Sequence, residues 1–170
     1  MTQTEPYTIP ATAAIGHVHL NVADLDRALA FYCTVLGFQL VTRYAEGPHG
    51  AAFVSAGGYH HHIGLNTWHS RGAGPPPPNY TGLYHLAIRY PSRQALAVAV
   101  QRLIDAQIRI QGATDHGVSE SVYLSDPDGN GVELTCDRPQ SEWPRNARGE
   151  PDMFSGKPLN LAGLLLEAEE

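Results

Sequence analysis

Glu133 sits in Gly131-Val132-Glu133-Leu134-Thr135-Cys136, where alternation sends Val132, Leu134 and Cys136 to one face of a strand and Gly131, Glu133 and Thr135 to the other. A lone carboxylate on such a strand is costly to bury unless it meets a cation or a metal. The chain offers nine histidines to meet it. Two of them lie in strands of matching design. Val18, Leu20 and Val22 oppose His17, His19 and Asn21, while Leu86 and Ile88 oppose His85, Ala87 and Arg89. A single inward histidine is more often a hydrogen-bonded core residue than a ligand. Three positions in related strands reverse that balance, and His17, His85 and Glu133 become the expected metal ligands. Two neutral imidazoles and one carboxylate form the facial set that suits ferrous iron and leaves coordination positions open. Zinc also accepts such a set, but the helical His-Glu-x-x-His spacing is absent.

The elements that must bring these residues together repeat. Strand Ile15 to Val22 is followed by a helix capped by Asp24, with apolar positions Leu25, Ala28, Leu29, Tyr32, Val35 and Leu36 and a stop at Gly37. Strands are expected over Phe38 to Arg43, Ala51 to Ser55 and His61 to Thr67, separated by turns at Gly47 to Gly50 and Gly57-Gly58. Arg71 to Tyr80, with Pro75 to Pro78, reads as an extended connector. The order then recurs: strand Leu83 to Tyr90, a helix capped by Ser92, and strands at Ile108 to Gln111, Ser121 to Leu124 and Gly131 to Cys136. Asp126-Pro127-Asp128-Gly129 supplies the turn between the last two. An offset of 68 residues carries His17 onto His85, and nearly the same offset sets Gly64 against Glu133. The expected fold class is therefore α+β, with two tandem βαβββ modules over about 15–70 and 83–137 joined by a Pro-rich linker at 71–82 and curled around a metal cleft. Residues 1–14 read as a leader. Residues 138–170 read as a tail that wraps a neighbouring surface or a second subunit.

At 170 residues and 42% hydrophobic content the chain can bury one substantial core. A net charge of −6 argues against nucleic acid and anionic membranes and favours a small-molecule partner. Cys33 and Cys136 occupy apolar positions typical of reduced core thiols, and Met1 to Pro10 lacks the pattern of a signal peptide, so a cytoplasmic setting is expected.

Gly16-His17-Val18-His19-Leu20-Asn21-Val22-Ala23-Asp24-Leu25, followed by Phe31-Tyr32, Leu36-Gly37-Phe38, Leu83-Tyr84-His85-Leu86-Ala87 and the run Asp126 to Glu133, resembles the vicinal oxygen chelate superfamily over about residues 13 to 137. That superfamily holds glyoxalase I, fosfomycin-resistance enzymes, bleomycin-binding proteins and extradiol dioxygenases, so its fold alone leaves the reaction open. The extradiol branch, similar to catechol 2,3-dioxygenase, has a tyrosine ten positions before the glutamate ligand, matched by Tyr123. It also has a substrate-contacting His-Gly, matched by His116-Gly117, and an acid–base histidine at the start of the first module's last strand, matched by His61. Strict alternation from Gly64 turns His62 inward instead, so the choice within His60-His61-His62 stays open. The resemblance implies a Fe(II) enzyme, with Mn(II) as the other candidate, that inserts O2 into a catechol beside the diol and works as a homodimer or higher homo-oligomer. The alternatives within the superfamily are a glyoxalase- or fosfomycin-resistance-like metalloenzyme and a metal-free bleomycin-type binding protein. Glyoxalase I adds a first-module glutamate where this chain has Gly64, which weighs against it.

Overall fold

The computed structural model describes residues 6–46 and 49–168, so part of the turn expected at Gly47 to Gly50 lies outside the described residues. The order is β1 (Val18–Asn21), α1 (Leu25–Leu29), β2 (Gln39–Glu46), β3 (His49–Ser55) and β4 (Ile63–Asn66). It repeats as β5 (Leu86–Arg89), α2 (Arg93–Asp105), β6 (Gly112–Asp115), β7 (Ser119–Ser125) and β8 (Gly131–Asp137). Each module folds its own mixed sheet. The first runs β1-β4-β3-β2, and the second β5-β8-β7-β6, extended by β9 (Lys157–Pro158). In both, the first and last strands pair in parallel: His19 sits beside Gly64, and Ala87 beside Glu133.

The helices begin where the sequence placed their caps. Asp24 Oδ1 accepts the Arg27 N–H at 2.9 Å, and Ser92 Oγ accepts the Ala95 N–H at 3.1 Å. The first helix widens after Leu29 into a π-type turn over Ala30–Val35 and stops at Gly37, whose φ of +86° suits a residue without Cβ. Leu25, Ala28, Phe31 and Tyr32 are buried there, as are Leu96, Val100 and Leu103 of α2, in one core shared by both modules.

The first helix also fastens the modules together. Tyr32 Oη donates to Asp126 Oδ2 at 3.0 Å in the buried interior, and Asp128 Oδ1 accepts the Ala23 N–H and the Arg27 guanidinium. At the other end Arg102 of α2 donates to the Thr34 and Val35 carbonyls left without partners by the helix end. Burial, followed by the negative charge of Asp126, pushes the Tyr32 phenol far above its ordinary value, so it stays a donor. The Asp126-Pro127-Asp128-Gly129 turn therefore does two jobs. Asp126 bonds back to the amides of Asp128 and Asn130, while Asp128 reaches the other module.

The expected strands that carry the two histidines start only at Val18 and Leu86, so His17 and His85 directly precede them, and one further expected strand does not form. Ile108 to Gln111 is not a strand: the Ile108 N–H caps α2 by bonding the Leu103 carbonyl, and the ladder opposite β7 begins at Gly112. The tail covers its own second module, with β9 on β6 and α3 (Leu161–Leu165) on α2, where Leu164 is fully buried. No helix among the described residues is long and apolar enough to cross a membrane.

Candidate functional site

The hairpin β7–β8 places Tyr123 directly across from Glu133, because both lie five residues from Asp128 and the register is uninterrupted between them. Ser121 pairs with Thr135 on the same face, with their hydroxyls 2.9 Å apart. Tyr123 Oη donates to Glu133 Oε1 at 3.2 Å, and His85 Nε2 lies 2.9 Å from Glu133 Oε2. His116 Nε2 lies 2.7 Å from Tyr123 Oη. Since the single phenolic proton is spent on Glu133, His116 must carry its proton on Nε2 and donate to the tyrosine oxygen. A relay thus runs from His116 through Tyr123 to Glu133, with His85 on the carboxylate's other oxygen. Burial, then the adjacent Glu133 charge, raises the Tyr123 phenol above its ordinary value and keeps its proton in place.

His85, His116 and Tyr123 line a cleft of about 570 Å³ whose wall also includes Tyr84, Leu124 and Val132. Gly131 admits the chain there: a Cβ on it would stand 2.2 Å from the Tyr84 carbonyl oxygen and 2.9 Å from His85 Cβ. His85 also borders a second cavity of about 470 Å³ between β1 and β5, and His17 lies on its other side.

His17 and His61 form a separate pair, with ring centroids 4.3 Å apart. His61 is 5.0 Å from the Phe53 ring, and its Nδ1 is 2.7 Å from His60 Nδ1. His62 lines the second cavity with His17 and His85, and its Nδ1 lies 3.0 Å from Ser55 Oγ at the end of β3. Partial burial first, then the neighbouring imidazoles led by His17, holds His61 below the ordinary histidine value. The structure thus brings His85, His116, Tyr123 and Glu133 together, and His17 and His61 together. Among the described residues no three His, Cys, Asp or Glu side chains stand close enough to hold one ion as they are placed. The donor chemistry nevertheless suits a metal, since an imidazole nitrogen of His85 and a carboxylate oxygen of Glu133 already face each other and a second imidazole, His17, borders a cavity that His85 also lines.

His19 shares the inward face of His17, and its ring covers Gly64, where a Cβ would lie only 2.8 Å from Nδ1. Phe53 and Trp68 flank it at 5.8 and 5.5 Å. Parity with His17 placed His19 on the same face. Its closeness to Gly64 follows from the parallel register of β1 and β4, which no local pattern displays. Tyr84 was unassigned, and only the glycine beneath it at 131 hints at a backbone crossing there.

The family described as the Glyoxalase/Bleomycin resistance protein/Dioxygenase superfamily matches residues 14–134. The "Catechol-2,3-dioxygenase" of Bacillus subtilis (strain 168) is 41% identical over 154 residues, which cover 91% of this chain and 52% of that protein, so the chain spans about half its length. The "Biphenyl-2,3-diol 1,2-dioxygenase 2" of Rhodococcus globerulus is 29% identical over 152 residues, covering 89% of this chain and 77% of its own. Among solved structures, a glyoxylase/bleomycin resistance protein/dioxygenase domain from Frankia sp. EAN1pec superposes with a TM-score of 0.66 at 22% identity, covering 76% of this chain and 96% of that one, a likeness of fold. With that match reaching from the approach to β1 into β8, across both βαβββ modules, the chain belongs to the glyoxalase/bleomycin resistance protein/dioxygenase superfamily.

Proposed function

We propose that the chain is an extradiol dioxygenase that inserts O2 into a catechol beside its diol at a ferrous centre held by His17, His85 and Glu133. The observation that carries this reading is the continuous His116–Tyr123–Glu133–His85 arrangement, which sets two hydrogen-bonding groups suited to a substrate oxygen beside a carboxylate and imidazole of metal-ligand type. Ferrous iron, or Mn(II) in its place, supplies when bound the redox chemistry between a diol and dioxygen that no side chain provides.

The side chains supply positioning and proton transfer. His116 and Tyr123 hold one catechol oxygen by exchanging part of their mutual hydrogen bond for bonds to substrate. Leu124 and Val132 offer apolar surface to the ring, and Tyr84 stands at the cleft wall. His61, beside His17, takes the proton released by the diol and returns it when the ring opens. The carbon–carbon bond next to the diol breaks, both atoms of O2 enter the product, and a muconic semialdehyde results.

Protein loaded with Fe(II) without oxygen, then given catechol and air, should produce a yellow product absorbing in the near-visible. Its absence across simple and substituted catechols overturns the reading. One observation favours a competing reading as a metal-free binding protein: no three donors stand together among the described residues. Metal analysis of protein purified without chelator separates the two, since a stoichiometric first-row metal excludes the binding-only reading. The glyoxalase reading is disfavoured by Gly64, which provides no first-module carboxylate and lies under the His19 ring.

A further inference from the structure

The segment after β8 belongs to neither module, yet it encloses the corner that carries His116. The Arg138 Nη2 donates to Asp115 Oδ2 at 3.0 Å and to Glu120 Oε1 at 2.7 Å, bridging the two carboxylates that flank the β6–β7 turn. Arg138 Nε is buried and has no partner among the described residues, so these two acids alone orient the guanidinium. Asp115 Oδ1 in turn accepts the Gly117 N–H at 2.9 Å, and the His116 N–H bonds the Ser119 carbonyl. The Arg138 N–H reaches the Val118 carbonyl at 2.8 Å, while its own carbonyl accepts the Trp143 indole N–H at 2.8 Å. Trp143 thereby places Pro144 under the turn, where a Cβ on Gly117 would lie 2.7 Å from Pro144 Cγ. Gly117 also has a φ of +77°, so the corner is set by conformation as well as by contact. From the other side Lys157 and Pro158 pair with Asp115 and Thr114, and Gly156 lies so close that a Cβ there would be 3.4 Å from His116 Nδ1.

His116 thus has one ring edge on Tyr123 and the other against the tail, and the turn beneath it is pinned through Arg138. We infer that Arg138 is a positioning residue for His116: by bridging Asp115 and Glu120 it fixes the 115–119 turn, and with it the direction in which His116 presents Nε2 to Tyr123 and to substrate. The inference rests on the extradiol reading for its consequence in turnover, but its geometric content does not.

Metal-free protein is therefore the first arm of the test. The His116 ring signals in ¹⁵N–¹H spectra, assigned by their loss in His116→Gln, should move in Arg138→Met. Asp115→Asn, which removes the charge that holds the guanidinium but keeps the side-chain shape, should move the same signals and serves if Arg138→Met fails to fold. The second arm is a double-mutant cycle on the Fe(II)-loaded enzyme. Arg138→Met should lower kcat/KM about tenfold in the wild-type background and have no further effect in His116→Gln, because the two changes act through one group. His116 signals that stay in place in the folded variants, or a loss that persists at full size without His116, would overturn the inference. Wild-type protein inactive on every catechol sinks the extradiol reading instead, and the ring signals still decide the role of Arg138.

Discussion

The two modules share an element order but present their histidines in opposite ways. In the second, His85, His116, Tyr123 and Glu133 are joined by hydrogen bonds and ion contacts of 2.7 to 3.2 Å. In the first, His17, His61, Phe53, His19 and Trp68 touch ring against ring, and the position matching Glu133 is Gly64. A hydrogen bond fixes the direction of its donor more closely than ring packing does. The second module therefore joins its candidate residues through one carboxylate, and the first, which has a glycine at that position, gathers its rings against one another.

The largest consequence of that contrast concerns metal retention. Under the proposed ligand set, His85→Ala should abolish retention and cut activity by about 10³-fold or more, because it removes an imidazole at the carboxylate. Tyr123→Phe should keep the metal and slow turnover by about 10- to 100-fold, since it loses a donor to substrate and no ligand. Elemental analysis of both variants checks this, and equal metal loss in the two would overturn the division between ligand and positioning donor.

Next in size is a pair of glycine substitutions. At Gly131 a Cβ meets the Tyr84 backbone carbonyl at 2.2 Å, which cannot yield without moving the chain, so Gly131→Ala should destabilise by about 3 kcal/mol. At Gly64 the obstacle is the His19 ring at 2.8 Å, a side chain able to rotate, so Gly64→Ala should lose only about 1 kcal/mol. Urea unfolding of both measures the difference. Equal losses would mean that the first module is as rigidly packed as the second.

The bond joining the modules comes third. Tyr32→Phe removes the buried donor to Asp126 but leaves that carboxylate with the Asn130 and Asp128 amides, so the loss should be about 1 to 2 kcal/mol. Thermal unfolding should show a lower Tm, and an unchanged Tm would mean that the Tyr32–Asp126 bond adds nothing to the join made by Asp128, Arg102 and apolar packing.

Much of this arrangement was readable in the sequence because it is local. Period-2 alternation and the Asp126-Pro127-Asp128-Gly129 turn were enough to set Tyr123 and Glu133 on one face, and Asp24 and Ser92 announced both helices. Ile108 and Ile110 misled because half-buried isoleucines imitate a strand while their segment only turns the chain back from α2. What no window could reveal spans the chain: Asp128 on Ala23, β9 on β6, and His19 over Gly64 through a parallel register. Such contacts depend on how distant elements dock, and alternation says nothing of that.

The smallest expected effect is on acid stability, and it belongs to the support of the second module. Burial alone would raise the Asp115 carboxyl, but the Gly117 N–H together with Arg138 and Lys157 outweighs it and holds the group below its ordinary value. The groups facing it are Arg138 at 3.0 Å and Lys157 at 3.6 Å, with Glu120 sharing the guanidinium. A carboxyl whose folded value lies below its unfolded one contributes stability that is fully present above the ordinary range near pH 4 and is lost as pH falls through the folded value. The first module's cluster of imidazoles has no such buried carboxylate bridge among the residues described, so its side of the molecule should not share this acid limb. Asp115→Asn removes the titrating group. Its stability deficit against wild type should therefore be largest near pH 6 and shrink steadily as pH falls below about 4, as urea midpoints across that range would record. A deficit that stays constant down to the lowest pH would mean that the charge of Asp115 contributes nothing and only its hydrogen-bonding shape matters, which would place the anchoring of the His116 turn in geometry and not in the ion pair with Arg138.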